Sequence, residues 1–210
     1  MLNLNKLSSM PYFTLKSLSS IAENNPLPTI KYWLKTQKIT GLKRGMYVAN
    51  SYLEKLSWQG KMDNYKEYLA NNLLTPSYIS FEYALSLYSL LTEAPYSVTS
   101  ATLKTTRGFS NKLGSYYYYS LKPSLFIGYD RFAKNGFDIY LASKAKALFD
   151  YLYIKKRSIK TINKDIIKEL RLNLTELSDN DLVELKGYVK LSGQSKLLKI
   201  YALLSSLKNS

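Results

Sequence analysis

The chain has no cysteine and no histidine among its 210 residues. Disulfides, Cys- or His-ligated zinc and thiol chemistry are thereby excluded, and so is general acid–base catalysis by imidazole. Acid is scarce as well: 15 Asp and Glu stand against 30 Lys and Arg, a formal charge of +15. No apolar run approaches the ~18 residues that a membrane-spanning helix requires. The opening stretch MLNLNKLSSM lacks the apolar core and cleavage pattern of a signal peptide, so a cytoplasmic location and no membrane partner are expected. What is present is apolar bulk. Hydrophobic residues make up 46% and aromatics 14%, which suits one or two folded domains rather than a disordered chain.

A charge of this size points to a polyanionic partner. The abundance of Lys, Asn, Ile and Tyr also looks like an AT-rich coding bias, so the placement of the charge decides between the two readings. Residues 1–61 carry nine bases and two acids, 62–154 nine and seven, and 155–210 twelve and six. The excess therefore lies at the two ends, which a uniform compositional bias does not predict.

The N-terminal part reads as helices followed by a hairpin. Thr14 has the character of an N-cap, with Leu15, Leu18, Ile21 and Ala22 on one helical face. Phe13 before the cap and Leu18 have the spacing of a hydrophobic staple. Asn24-Asn25-Pro26-Leu27-Pro28 breaks this helix, and a second one runs to about Gln37 because proline is tolerated only in a first turn. Ile30, Trp33 and Leu34 share its apolar face, while Thr29, Lys31, Tyr32 and Lys35 lie away from it. The run 39–48, with Gly41 and Gly45, predicts two short strands joined by a basic turn.

Further on, a polar helix is expected over 63–73 and a helix capped by Ser80 over 81–91. Strands follow over 97–106, 109–113, 116–121, 125–129 and 137–141, punctuated by glycine and proline. Tyr116-Tyr117-Tyr118-Tyr119 reads as a strand with alternate rings buried, in preference to a stacking platform for single strands. Helical periodicity returns from Ser143, and three basic helices are expected over 163–170, 178–191 and 195–207, with Ser178 and Asp181 as a capping box. The resulting expectation is an α+β protein. An N-terminal winged helix-turn-helix over 1–61 precedes a mixed α/β domain over 62–210 with an antiparallel sheet and C-terminal helices.

In a winged helix-turn-helix the second helix enters the major groove and the hairpin lies on the backbone or minor groove. The residues expected to contact duplex DNA are Asn25, Thr29, Lys31, Tyr32, Lys35, Lys38, Lys43 and Arg44. No catalytic residue, metal ligand or cofactor is assigned. Asp130 and Asp138 begin no Asp-x-Lys triplet, Glu184-Leu185-Lys186 falls inside a predicted helix, and Gly41-x-x-x-Gly45 is followed by Met-Tyr rather than Lys-Ser/Thr. The chain reads as a binding protein and not an enzyme.

Three N-terminal stretches, Phe13-Thr14-Leu15-Lys16-Ser17-Leu18, Ile30-Lys31-Tyr32-Trp33-Leu34-Lys35 and Leu42-Lys43-Arg44-Gly45-Met46-Tyr47-Val48, resemble the winged helix of AbiEi-type antitoxins. Thr75-Pro76-Ser77-Tyr78-Ile79-Ser80 is similar to that family's Pro-x-Tyr-Ile-Ser segment. Residues 139–150 resemble its Ala-x-Pro-Glu-Lys-Ala-Leu-x-Asp helix start, with Lys144-Ala145 standing where the family has Pro-Glu. The likeness runs from about residue 10 to 155. It implies an antitoxin of a type IV toxin–antitoxin system that represses its own operon and opposes an AbiEii-type nucleotidyltransferase toxin without a stable complex. Double-stranded DNA at the chain's own operator is the direct partner under that reading. A plain winged-helix regulator, with a ligand- or protein-binding C-terminal domain, is the alternative.

Overall fold

The computed structural model describes residues 4–20, 22, 24–93 and 95–208. Its first elements are α1 (Leu4–Leu7), β1 (Phe13–Thr14), α2 (Leu15–Ser19), α3 (Leu27–Lys35), β2 (Ile39–Lys43), β3 (Met46–Ala49) and α4 (Asn50–Trp58). The strands form an antiparallel sheet in the order β1-β3-β2. Thr14 and Ser17 make a reciprocal capping box at the start of α2, which satisfies two otherwise orphaned N–H groups. Phe13 and Leu18 meet in a small core with Leu7, Ile30, Trp33 and Ile39. Ile21, expected on the same face, lies outside the described residues. Leu34 is not in that core and is exposed: α3 is only nine residues long, and Ile30 and Trp33 alone face inward.

The rest of the chain supplies α5 (Met62–Leu73), β4 (Ser77–Ile79), α6 (Phe81–Leu87), β5 (Ser97–Thr102), β6 (Arg107–Asn111), β7 (Gly114–Ser120), β8 (Tyr129–Lys134) and β9 (Phe137–Ala142). Four helices end it: α7 (Lys144–Lys155), α8 (Lys164–Glu169), α9 (Asp179–Leu191) and α10 (Ser195–Lys208). The protein is thus α+β. Its larger sheet has the order β6-β7-β5-β4-β9-β8. The sheet is mixed, not antiparallel, because β7 joins β5 and β9 joins β4 in parallel. In each case the chain makes an intervening excursion and re-enters beside an earlier strand. Strand pattern and turn residues report the existence of a strand but not its neighbour.

Helix α5 packs on the larger sheet against β4, β5 and β9, while α6 packs against both β5 and α7. The helix expected to be polar is therefore central. Its Tyr65, Leu69, Ala70 and Leu73 are buried, and so are Glu67 and Asn71. Asn71 is satisfied by the sheet itself: its Oδ1 accepts the Tyr140 N–H at 2.8 Å and its Nδ2 donates to the Tyr140 carbonyl at 3.2 Å. In the tyrosine run, Tyr116 and Tyr118 are buried and Tyr117 is exposed, as the period of two requires. The Tyr118 hydroxyl donates to the Ala70 carbonyl of α5 at 2.6 Å.

The stretch expected as a strand over 125–129 contains the end of a 3-10 turn, Pro123–Leu125, and only the first residue of β8. The expected boundary between 61 and 62 falls between α4 and α5, and apolar side chains pack across it. Leu42, Met46, Val48 and Leu56 belong to the same core as Tyr65, Leu69 and Tyr118. Tyr65 also donates its hydroxyl to the Pro11 carbonyl at 2.6 Å. No helix among the described residues is long and apolar enough to cross a membrane.

Candidate nucleic-acid interface

Helix α3 presents a cationic surface. Asn25 Oδ1 accepts the Leu27 N–H at 3.0 Å, and Pro28 sits in the first turn, where no backbone donor is missed. At the other end Gln37 takes a left-handed conformation, with φ 53°, and the Lys38 N–H returns to the Trp33 carbonyl at 2.8 Å. Ile30 and Trp33 anchor one side. Lys31, Tyr32, Lys35 and Lys38 are exposed on the other. Lys31 and Lys35 are four residues apart, or about 6 Å along the axis. Lys38 continues the surface, its ammonium 5.4 Å from the centroid of the Tyr32 ring. Among the described residues none of these three lysines pairs with a carboxylate. Lys16 on α2 is exposed as well.

The expected contact residues separate into two groups. Lys31, Tyr32, Lys35 and Lys38 project from or just beyond α3. Asn25 is exposed, but its carbonyl oxygen is engaged in capping. Thr29 is half-buried. The hairpin differs from the expectation. Its turn is only Arg44-Gly45, and the Gly45 carbonyl accepts the Leu15 N–H at 2.8 Å, tying the tip to the start of α2. Gly45 has φ 76°, a conformation that a side chain would strain. Asn111 Nδ2 on β6 donates to the Leu42 carbonyl at 3.0 Å. Lys43, expected on DNA, instead donates its ammonium to the Leu73 carbonyl at the end of α5, 2.6 Å away. Burial and the neighbouring Lys104 push its pKa below the usual lysine range. The last carbonyls of a helix attract a cation, and this one has captured Lys43. Of Lys43 and Arg44, only Arg44 is exposed.

A second polar cluster, which the sequence does not single out, joins the segments 75–80 and 139–150. Asp150 on α7 accepts hydrogen bonds from the Tyr78 hydroxyl at 2.9 Å and the Ser80 hydroxyl at 2.8 Å. It also pairs with Lys146, one turn earlier, and both side chains are completely buried. The rings of Phe149, Tyr78 and Tyr188 surround the Lys146 ammonium at 4.9 to 5.6 Å from their centroids. Burial pushes the Asp150 carboxyl up against the opposing pull of Lys146, and it pushes the Tyr78 hydroxyl up as well. Ser80 therefore spends its hydroxyl on Asp150 and makes no side-chain cap to α6, contrary to expectation. The signal in the sequence is a Lys and an Asp at i and i+4 inside the otherwise apolar run 145–152. This cluster is closed to solvent and joins β4 to α7; it is a structural tie.

No protein-family profile matches the chain, and no curated protein sequence is significantly similar to it.

Proposed function

We propose that this protein is a duplex-DNA-binding regulator of its own operon and that α3 is its recognition helix. The observation that carries the reading is the cationic face formed by Lys31, Lys35 and Lys38 around the exposed Tyr32, with no acidic partner among the described residues. Supporting it is the element order helix, strand, helix, helix, strand, strand before α4, which is the order of a winged helix-turn-helix. Under this reading the wing is short. Arg44 contributes a phosphate contact, and Lys43 positions the hairpin against α5. Recognition then depends more on α3 than on the hairpin.

The resemblance to AbiEi-type antitoxins extends the proposal: the part from α5 onward opposes a nucleotidyltransferase toxin encoded beside the gene. Two segments that carry the resemblance meet at Tyr78, Ser80, Lys146 and Asp150, so they act as one folded unit. The test is a pair of measurements on the full chain. A reporter driven by its own upstream region should be repressed, and Lys31→Ala with Lys35→Ala should relieve the repression. Growth of cells expressing the adjacent gene should be restored by either protein. An intact repressor that leaves growth unchanged would leave the plain regulator as the correct reading.

A further inference from the structure

A cleft of about 420 Å³ opens between β7 and the end of α7. Thr106, Tyr119, Leu121, Lys122, Ile154 and Arg157 contribute to its walls. It shares Tyr119, Ile154 and Arg157 with a neighbouring hollow of about 280 Å³ under Phe81 and Tyr151. The groove therefore has apolar and aromatic walls and a cationic rim, the composition of a small-molecule site that takes an anion. Its volume exceeds what an inorganic anion fills.

We propose that this groove binds a nucleotide-sized phosphate monoester, with Lys122 and Arg157 holding the phosphate and Tyr119, Leu121 and Ile154 lining the place of the base and sugar. Cations from three elements converge here. Lys156 lies over the Tyr153 ring, 3.4 Å from its centroid, and Tyr153 also borders the cleft. Lys196 of α10 donates to the Ile159 carbonyl beside it. The only carboxylate bordering the groove, Glu82, faces Lys155 at 3.8 Å and leaves Lys122, Lys156 and Arg157 without an acidic partner among the described residues.

Bases at the end of α7 suit the helix dipole, and that effect alone would favour the charged form of Lys156. The opposite holds: burial, then Arg157, Lys122 and Lys196, push Lys156 down to about 8. The neighbouring cations add to the burial, and a bound phosphate dianion would offset their mutual repulsion. Phe81, at the far end of the groove, is held at φ 57°, a strained conformation for a buried aromatic residue. The groove shares no residue with the DNA-binding face of α3, so the two assignments stand or fall separately.

The test is thermal unfolding and calorimetric titration of the full chain with adenosine monophosphate and, separately, with inorganic phosphate. Lys122 and Arg157 are exposed, so Lys122→Gln with Arg157→Gln should fold, which an unchanged circular dichroism spectrum and a cooperative melt verify. The nucleotide should raise the melting temperature of the parent protein saturably, and the double variant should bind it at least tenfold more weakly. Absence of a shift in the parent, or equal binding by the variant, overturns the site. Equal stabilisation by inorganic phosphate and the nucleotide at the same concentration overturns the nucleotide assignment. Operator binding of the variant, measured alongside, reports on α3 independently.

Discussion

The ammonium of Lys43 and the carbonyl of Leu73 lie 2.6 Å apart, although 30 positions separate them in the chain. That bond ties the N-terminal hairpin to the helix at the heart of the larger sheet. It turns a residue that reads as a DNA contact into a tether, and it sets the orientation of the β2–β3 hairpin relative to α5.

Lys43→Ala should therefore act on stability. Losing this bond leaves a helix-end carbonyl without its charged donor, at about 1 kcal/mol. The salt slope of DNA binding should not change. Arg44→Ala should do the reverse, leaving the melting temperature in place and flattening the slope of log K against log salt by about 1. Denaturant titration and binding at several salt concentrations separate the two variants.

The buried pair gives a prediction of opposite kind. Removing one member strands the other in an apolar site, so Asp150→Leu or Lys146→Met should cost roughly 3 to 5 kcal/mol. Replacing both, as Lys146→Met with Asp150→Leu, should cost less than either single change. A double-mutant cycle from urea unfolding measures this. Additive losses would mean that Lys146 and Asp150 are not coupled.

Lys156 supplies a pH dependence. Its pKa in the folded protein is about 8, below the ordinary lysine value of 10.5. Between those values the unfolded chain holds more protons than the folded one, so its contribution makes stability rise with pH over that window. Burial opposes its charge most, and Arg157, Lys122 and Lys196 add to that. Lys156→Gln should be more stable than the parent at pH 7, and its advantage should shrink by pH 10. Melting temperatures of both proteins across that range are the check.

Much of the local structure was legible because it is coded locally. The Thr14 cap, the Phe13–Leu18 staple, the Ser178 capping box and the alternation of the tyrosine run each depend on residues within a few positions. What was not legible depends on distant partners. The 63–73 segment looks polar because Glu67 and Asn71 carry hydrogen-bonding groups, yet Lys134 and Tyr140 meet them across the fold. The parallel entry of β7 and β9 has no local signature. Lys43 reads as a solvated hairpin cation until α5 ends beside it. The exposed face of α3 was legible, because helical spacing alone places Lys31, Tyr32 and Lys35 opposite Ile30 and Trp33.

The most direct measurement is footprinting and quantitative binding of the full chain on the DNA upstream of its own gene, from low to near-physiological salt. With Lys16, Lys31, Lys35, Lys38 and Arg44 available for phosphates, a discrete protected site is expected, with a slope of log K against log salt of roughly −4 to −5 per protomer. Lys31→Ala with Lys35→Ala should abolish the protection and flatten the slope by about 2. An absent footprint, or one that survives both substitutions, would contradict the assignment of α3 as the recognition helix.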